Sequence, residues 1–147
     1  QPTQVIGVLD WEMATLGDPL MDLGSALAYW IQEDDDALMK SSRRQPTHLK
    51  GMLTRQQVVD YYLDKTGLQP ENWAFYEVFG LFRLAVIAQQ IYYRYYHQQT
   101  DNPAFKDFWI LIHALHIRAL KLIAANNAEA QQLIPEYGAK LQDILKR

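Results

Sequence analysis

Cysteine is absent from this 147-residue chain, which removes disulfides, a thiolate nucleophile and Cys-ligated zinc from consideration. A cysteine-free chain suits a reducing compartment, and the sequence reads as cytoplasmic. Positive charge is also scarce: 14 Lys and Arg against 17 Asp and Glu leave a net charge of -3. Without a basic stripe to meet a polyanion, nucleic acid is excluded as a partner. No run of roughly eighteen apolar residues is available to span a bilayer. The opening residues also lack the basic start and apolar stretch of a secretory leader, so no membrane partner is expected. What is plentiful is apolar and aromatic surface. The chain is 49% hydrophobic, with four Trp, nine Tyr and five Phe, which is enough for one globular core and too little length for several. It opens on "QPTQVIGVLD", without Met, and enters an apolar run within four residues, which reads as the later part of a longer polypeptide.

Residues 4–10, short, β-branched or apolar, read as a buried strand. A lone strand is not stable, so it would pair with strands outside this chain. "GDPLMDLGSALAYWI" then announces a helix with Asp18 at the N-cap and Pro19 at the first helical position, running to about Ile31. Residues 33–53, charged and punctuated by Pro46 and Gly51, read as a long loop or lid. "TRQQ" at Thr54 is a capping box opening a second helix that ends at Gly67. A third and longest helix spans roughly Glu71 to His97, with Phe75, Val78, Phe79, Phe82, Ala85, Val86 and Ala88 assigned to its core face. Pro103 opens a fourth, and "PEYGAKLQDILKR" reads as a short amphipathic helix. The fold expected is mainly α: one N-terminal strand plus four to five helices, in a single segment divided into residues 1–32, 33–53 and 54–147.

The stretch "VIGVLDWEMATLGDPLMDLG" holds four acids among apolar residues. On an extended backbone Asp10 and Glu12 project to one side, and two carboxylates there need water, hydrogen bonds or a cation. A strand end emerging into water, with Asp10 capping a turn, accounts for them equally well. Asp18 suits a helix cap, and Asp22 suits either a first-turn acid favoured by the helix dipole or a buried group in need of partners.

The whole string, apolar run then "DWE", "GDP" and "DLG", resembles the metal-binding segment of the aminoglycoside phosphotransferase and choline kinase family, whose fold is kinase-like. "GMLTRQQVVDYYLDKTG" and "FYEVFGLFRLAVIAQQIYYRYYHQQTDNPAF" resemble the branch of that family found beside, or fused to, acyl-CoA dehydrogenases. The resemblance implies the C-terminal helical part of an α+β protein-kinase-like fold. It implies that Asp10 holds Mg²⁺ bridging the phosphates of ATP, consistent with the preference of Mg²⁺ for one or two carboxylates plus phosphate oxygens. Glu12 would assist through water, a second metal's shell or a supporting hydrogen bond, and Trp11 would anchor the loop by packing. Asp22 would accept backbone N–H groups of the catalytic loop. That loop, "H-G-D-x-x-x-x-N", with its base and second metal ligand, is not found here, nor are the nucleotide cradle and phosphate-anchoring Lys. Gly7, Gly17 and Gly24 form no G-x-G-x-x-G pattern. No catalytic residue is therefore assigned within the chain; the base is expected upstream, and the segment alone is expected to be inactive.

Other candidates lie in the helices and the loop. Arg83, between Phe82 and Leu84, needs an anion or a route to solvent, and either it or Tyr92 could line a substrate cleft. His113 and His116 stand one turn apart without a carboxylate, a pattern of ordinary helix residues more than of a zinc site. "EDDD" at 33–36 reads as a solvated loop or a cation site. "SSRR" at 41–44 reads as a polar loop that could also meet an anionic substrate group. The leading reading is an ATP- and Mg²⁺-dependent transfer to the hydroxyl of a small molecule, a hydroxyacyl-CoA or related metabolite. A catalytically idle helical scaffold and a small metal-dependent hydrolase are the alternatives. Apolar surface left by a missing lobe is expected to drive self-association.

Overall fold

The computed structural model describes residues 4–10, 14, 16–125 and 127–145, and these are mainly helical. Six α-helices follow in order: α1 (Pro19–Ala28), α2 (Ala37–Ser41), α3 (Arg55–Thr66), α4 (Trp73–Tyr96), α5 (Phe108–Ala124) and α6 (Ala128–Leu145), with a 3-10 turn at Pro103–Phe105 before α5.

The expected N-terminal strand is not formed. Residues 4–10 carry no regular structure, and Val5, Ile6 and Leu9 are 80%, 95% and 88% exposed. The reason is that the ladder has no second member: no strand occurs among the described residues, so the backbone groups of this run find no sheet to pair with.

α3 follows its sequence signals to the residue. Thr54 accepts from Gln57 N, Gln57 returns a side-chain oxygen to Thr54 N at 2.9 Å, and Gly67 closes the helix at φ 71. α4 is capped by Asn72 and ends at His97. By length and composition alone α4 could cross a membrane, but here it packs against both α1 and α5. The core lies at that junction: Ala28, Ile31, Met39, Leu81, Ala114 and Leu115 form one buried cluster, with Leu84, Ala85 and Leu111 packed on it.

The face of α4 turned inward matches the expected one in part: Ala88 is buried and Ala85 packs on the core, as expected. Gly80, Leu81 and Ala88 are buried, whereas Phe75, Phe82 and Val86 are exposed. Both faces of this helix are apolar, so periodicity could not choose between them; the two glycines at the α1 crossing did. The 33–53 stretch is also not all loop, because Asp36 caps α2 through Met39 N at 2.9 Å. Thr47 ties the rest of that stretch to the end of α1, accepting from Ile31 N and donating to Ile31 O at 2.8 Å. α6 begins seven residues before the expected Pro135, which sits inside it. Asn127 Oδ1, accepting from Glu129 N and Ala130 N, supplies the earlier start.

Candidate phosphotransferase segment and its surroundings

Asp10 ends the apolar run with its backbone in the left-handed region, φ 71, and its side chain in solvent. Asp tolerates this conformation better than most residues. The expectation that Asp10 and Glu12 face one way turns on the backbone of residues 11 and 12. Trp11 and Glu12 themselves lie outside the described residues.

Asp18 does two jobs. Its Oδ1 accepts from Leu20 N at 2.9 Å, capping α1, and its Oδ2 accepts from the Tyr76 hydroxyl of α4 at 2.7 Å. The bond to Asp18 raises the Tyr76 phenol above its usual range, with desolvation and the charges of Asp18 and Glu71 adding to it. Just beyond, α1 and α4 cross backbone to backbone. A Cβ on Gly24 would lie 2.2 Å from the Tyr76 carbonyl oxygen, and one on Gly80 would lie 2.1 Å from the Gly24 carbonyl oxygen. Only glycine allows that approach.

The crossing sets Asp22 beside Arg83. Both line a cleft of about 230 Å³ with Ser25, Tyr29 and Gly80. Asp22 is exposed, so the cost of burying an unpartnered carboxylate does not arise for it. Arg83 is exposed and has no ion-pair partner among the described residues. Tyr92 is not on this cleft; it packs along α4 against Tyr96, ring centroids 6.3 Å apart.

A half-buried charge cluster is the feature that sequence reasoning missed. Asp35 takes both guanidinium nitrogens of Arg55, at 2.7 and 2.8 Å, and lies 3.8 Å from Arg118, which is itself 3.8 Å from Glu77. Arg55 also donates to Trp30 O at 2.7 Å and, from its backbone, to the Gln32 side chain. Burial pushes the Asp35 carboxyl up, but the hydrogen bonds from Arg55 and Gln32 N and the charges of Arg55 and Arg118 together hold it below its usual value. Burial and the charge of Arg55 pull Arg118 down, against Asp35, Glu77 and Asp36. "EDDD" is thus not one solvated run: Glu33 lies 3.9 Å from Arg43, Asp34 accepts from Gln32, Asp35 pairs with Arg55 and Asp36 caps α2. The stretch gave no sign of the Asp35 pairing, because Arg55 and Arg118 lie 20 and more residues away.

His113 and His116 meet Tyr137 of α6, the first by a short hydrogen bond and the second with ring centroids 4.1 Å apart. Among the described residues no group of three or more His, Cys, Asp or Glu could hold a metal ion. Asp10 stands as a single exposed carboxylate outside any such group.

Residues 1–54 match the profile of the Phosphotransferase enzyme family. The head of the chain carries phosphotransferase-family sequence. The segment is 36% identical over 96 residues to "Acyl-CoA dehydrogenase family member 10" of Mus musculus, covering 64% of this chain and 9% of that protein. It is 35% identical over 95 residues to "Acyl-CoA dehydrogenase family member 11" of Rattus norvegicus, and 32% identical over 95 residues to the Homo sapiens protein of that name. Each of these two alignments covers 63% of this chain and 12% of the relative. The chain thus spans only about a tenth of the length of these relatives. No solved structure matches it.

Proposed function

We propose that this chain is the C-terminal portion of an ATP- and Mg²⁺-dependent small-molecule phosphotransferase that passes the γ-phosphate to a substrate hydroxyl. The observation that carries the reading is the family match over residues 1–54, which contain the exposed Asp10 and the Asp18-capped start of α1. Mg²⁺ held there would neutralise phosphate charge as it shifts in the transition state. Asp10, a single exposed carboxylate, fits one of the one or two protein ligands that a phosphate-borne Mg²⁺ takes. Asp18 fixes the first turn of α1, and Tyr76 fixes Asp18. Asp22 would brace the catalytic loop and Arg83, in the same cleft, would meet an anionic part of the acceptor. The names of the relatives make a hydroxyacyl-CoA or kindred metabolite the acceptor class to test first. Residues 54–147 would form the acceptor-side helical unit, with the base supplied from outside this chain. The exposed apolar run 4–9 and the outer face of α4 would be covered by the remainder of that enzyme, and in isolation would drive association between copies.

In the full-length polypeptide, Asp10→Ala should abolish Mg²⁺-dependent consumption of ATP with a hydroxyacyl-CoA while leaving the far-ultraviolet circular dichroism unchanged. Retained turnover would remove Asp10 from the metal site. An intact domain with no transfer in the parent protein would favour the idle scaffold.

A further inference from the structure

α6 is held to the molecule by its seam with α5. Ala130 is its one buried residue among the described ones, and Ile134, Tyr137, Gly138 and Leu141 continue the same stripe half-buried. Pro135, inside the helix, has no N–H to return to the carbonyl four residues back, so a rung is missing beside the middle of that stripe. The attachment is thin, and its one large ring is Tyr137. That ring meets two imidazoles of α5: a short hydrogen bond joins its hydroxyl to His113 Nδ1, and the His116 ring lies 4.1 Å away, centroid to centroid.

A proton added to this cluster finds no acid to answer it. Trp109 borders His113 edge-on at 6.1 Å, and neither imidazole is in an ion pair among the described residues. On α6, Glu136 beside Tyr137 is taken by Lys140 at 2.6 Å, and on α4 Glu77 faces Arg118. Burial, and then the like charge of His116, hold the His113 imidazole below its usual value. His116 is different, because it is exposed and its cation would lie against the Tyr137 ring, a contact that favours docking. The cost of protonation therefore falls on His113. With α6 undocked, His113 is solvated and takes its proton at the ordinary value. Docking is then full above that value and is lost as pH falls through the docked one.

We propose that His113 is an acid-operated catch that releases α6 from α5 while α1 to α5 stay folded. The catch calls on neither Asp10 nor phosphoryl transfer, so its failure would leave the phosphotransferase reading standing.

Because the chain has no cysteine, Gln90→Cys in α4 and Gln142→Cys in α6, both at exposed positions, can be labelled as a donor and acceptor pair. Energy transfer should report one separation at about pH 7.5, and a second, longer one should grow at least about fivefold by about pH 5. A control pair at Gln90→Cys and Lys121→Cys, on α4 and α5, should not change. Followed by nuclear magnetic resonance, the His113 ring should titrate below the ordinary imidazole range and with the midpoint of the release. His113→Gln should hold a single separation throughout. The proposal is overturned by a separation that stays single at acid pH, by a control pair that changes in step, by pH-dependent release that persists in His113→Gln, or by His113 titrating at or above the ordinary value.

Discussion

Gly80→Ala isolates the joint on which the arrangement of α1 and α4 depends. The added Cβ would stand 2.1 Å from Gly24 O, 2.5 Å from Gly24 C and 2.9 Å from Ser25 N. All three are backbone atoms, so no side chain can rotate away, and the helices must part by about 1 Å or more to restore ordinary contact. Overpacking of this kind costs about 1–3 kcal/mol, and the clash with backbone places Gly80 at the upper end. Alanine's better helix propensity returns up to about 1 kcal/mol. The net expectation is a loss of about 2 kcal/mol, or about 4–8 °C in melting temperature for a chain of this size. Gly138→Ala is the control, because it also lies inside a helix, α6, but its Cβ would meet nothing within 4 Å. That variant should gain up to about 1 kcal/mol. Thermal and urea denaturation followed by circular dichroism measure both. If Gly80→Ala melts at or above the parent, the α1–α4 approach is not as described, and the placement of Asp22 beside Arg83 fails with it.

Three further outcomes follow from other parts of the molecule. Asp35→Ala leaves Arg55 and Arg118 without their shared carboxylate, which is only 11% exposed, and should cost about 3 kcal/mol by urea denaturation. Because the folded-state pKa of Asp35 is lowered, its contribution is full above the ordinary carboxylate pKa and is lost as pH falls through the folded value; in Asp35→Asn this part of the acid transition should vanish. Burial, then the charge of His116, lowers the pKa of His113, so stability should be full above the ordinary imidazole value and decline as pH falls below it. His113→Gln should flatten that segment of the melting-temperature profile.

Local signals were legible wherever a cap or a glycine spoke for itself. "TRQQ" and Gly67 bounded α3 correctly, Asp18 and Pro19 opened α1, and the apolar length of α4 placed it to within two residues at its start and one at its end. What was not legible depended on partners far along the chain. Residues 4–10 have strand composition, but pairing is a property of two strands, and no second one is present among the described residues. The inward face of α4 was decided by the Gly24–Gly80 approach, which carries no hydrophobic signal of its own. Asp35 looked like its acidic neighbours until Arg55 and Arg118 were brought to it. In the stretch from Asp10 to Asp22, the roles of the acids were read from a family pattern. Asp18 is fixed by hydrogen bonds, while Asp10 projects into solvent.

α3 buries a single hydrophobic side chain, Val59, and is moored near its first residue by Arg55, Gln32 and the indole of Trp30, which donates to Leu53 O at 3.0 Å. Such a helix is a subglobal opening unit. Its amides should exchange with solvent at a free energy well below that of α4 and α5, fastest towards Gly67 and slowest beside Thr54, while the remaining helices stay closed.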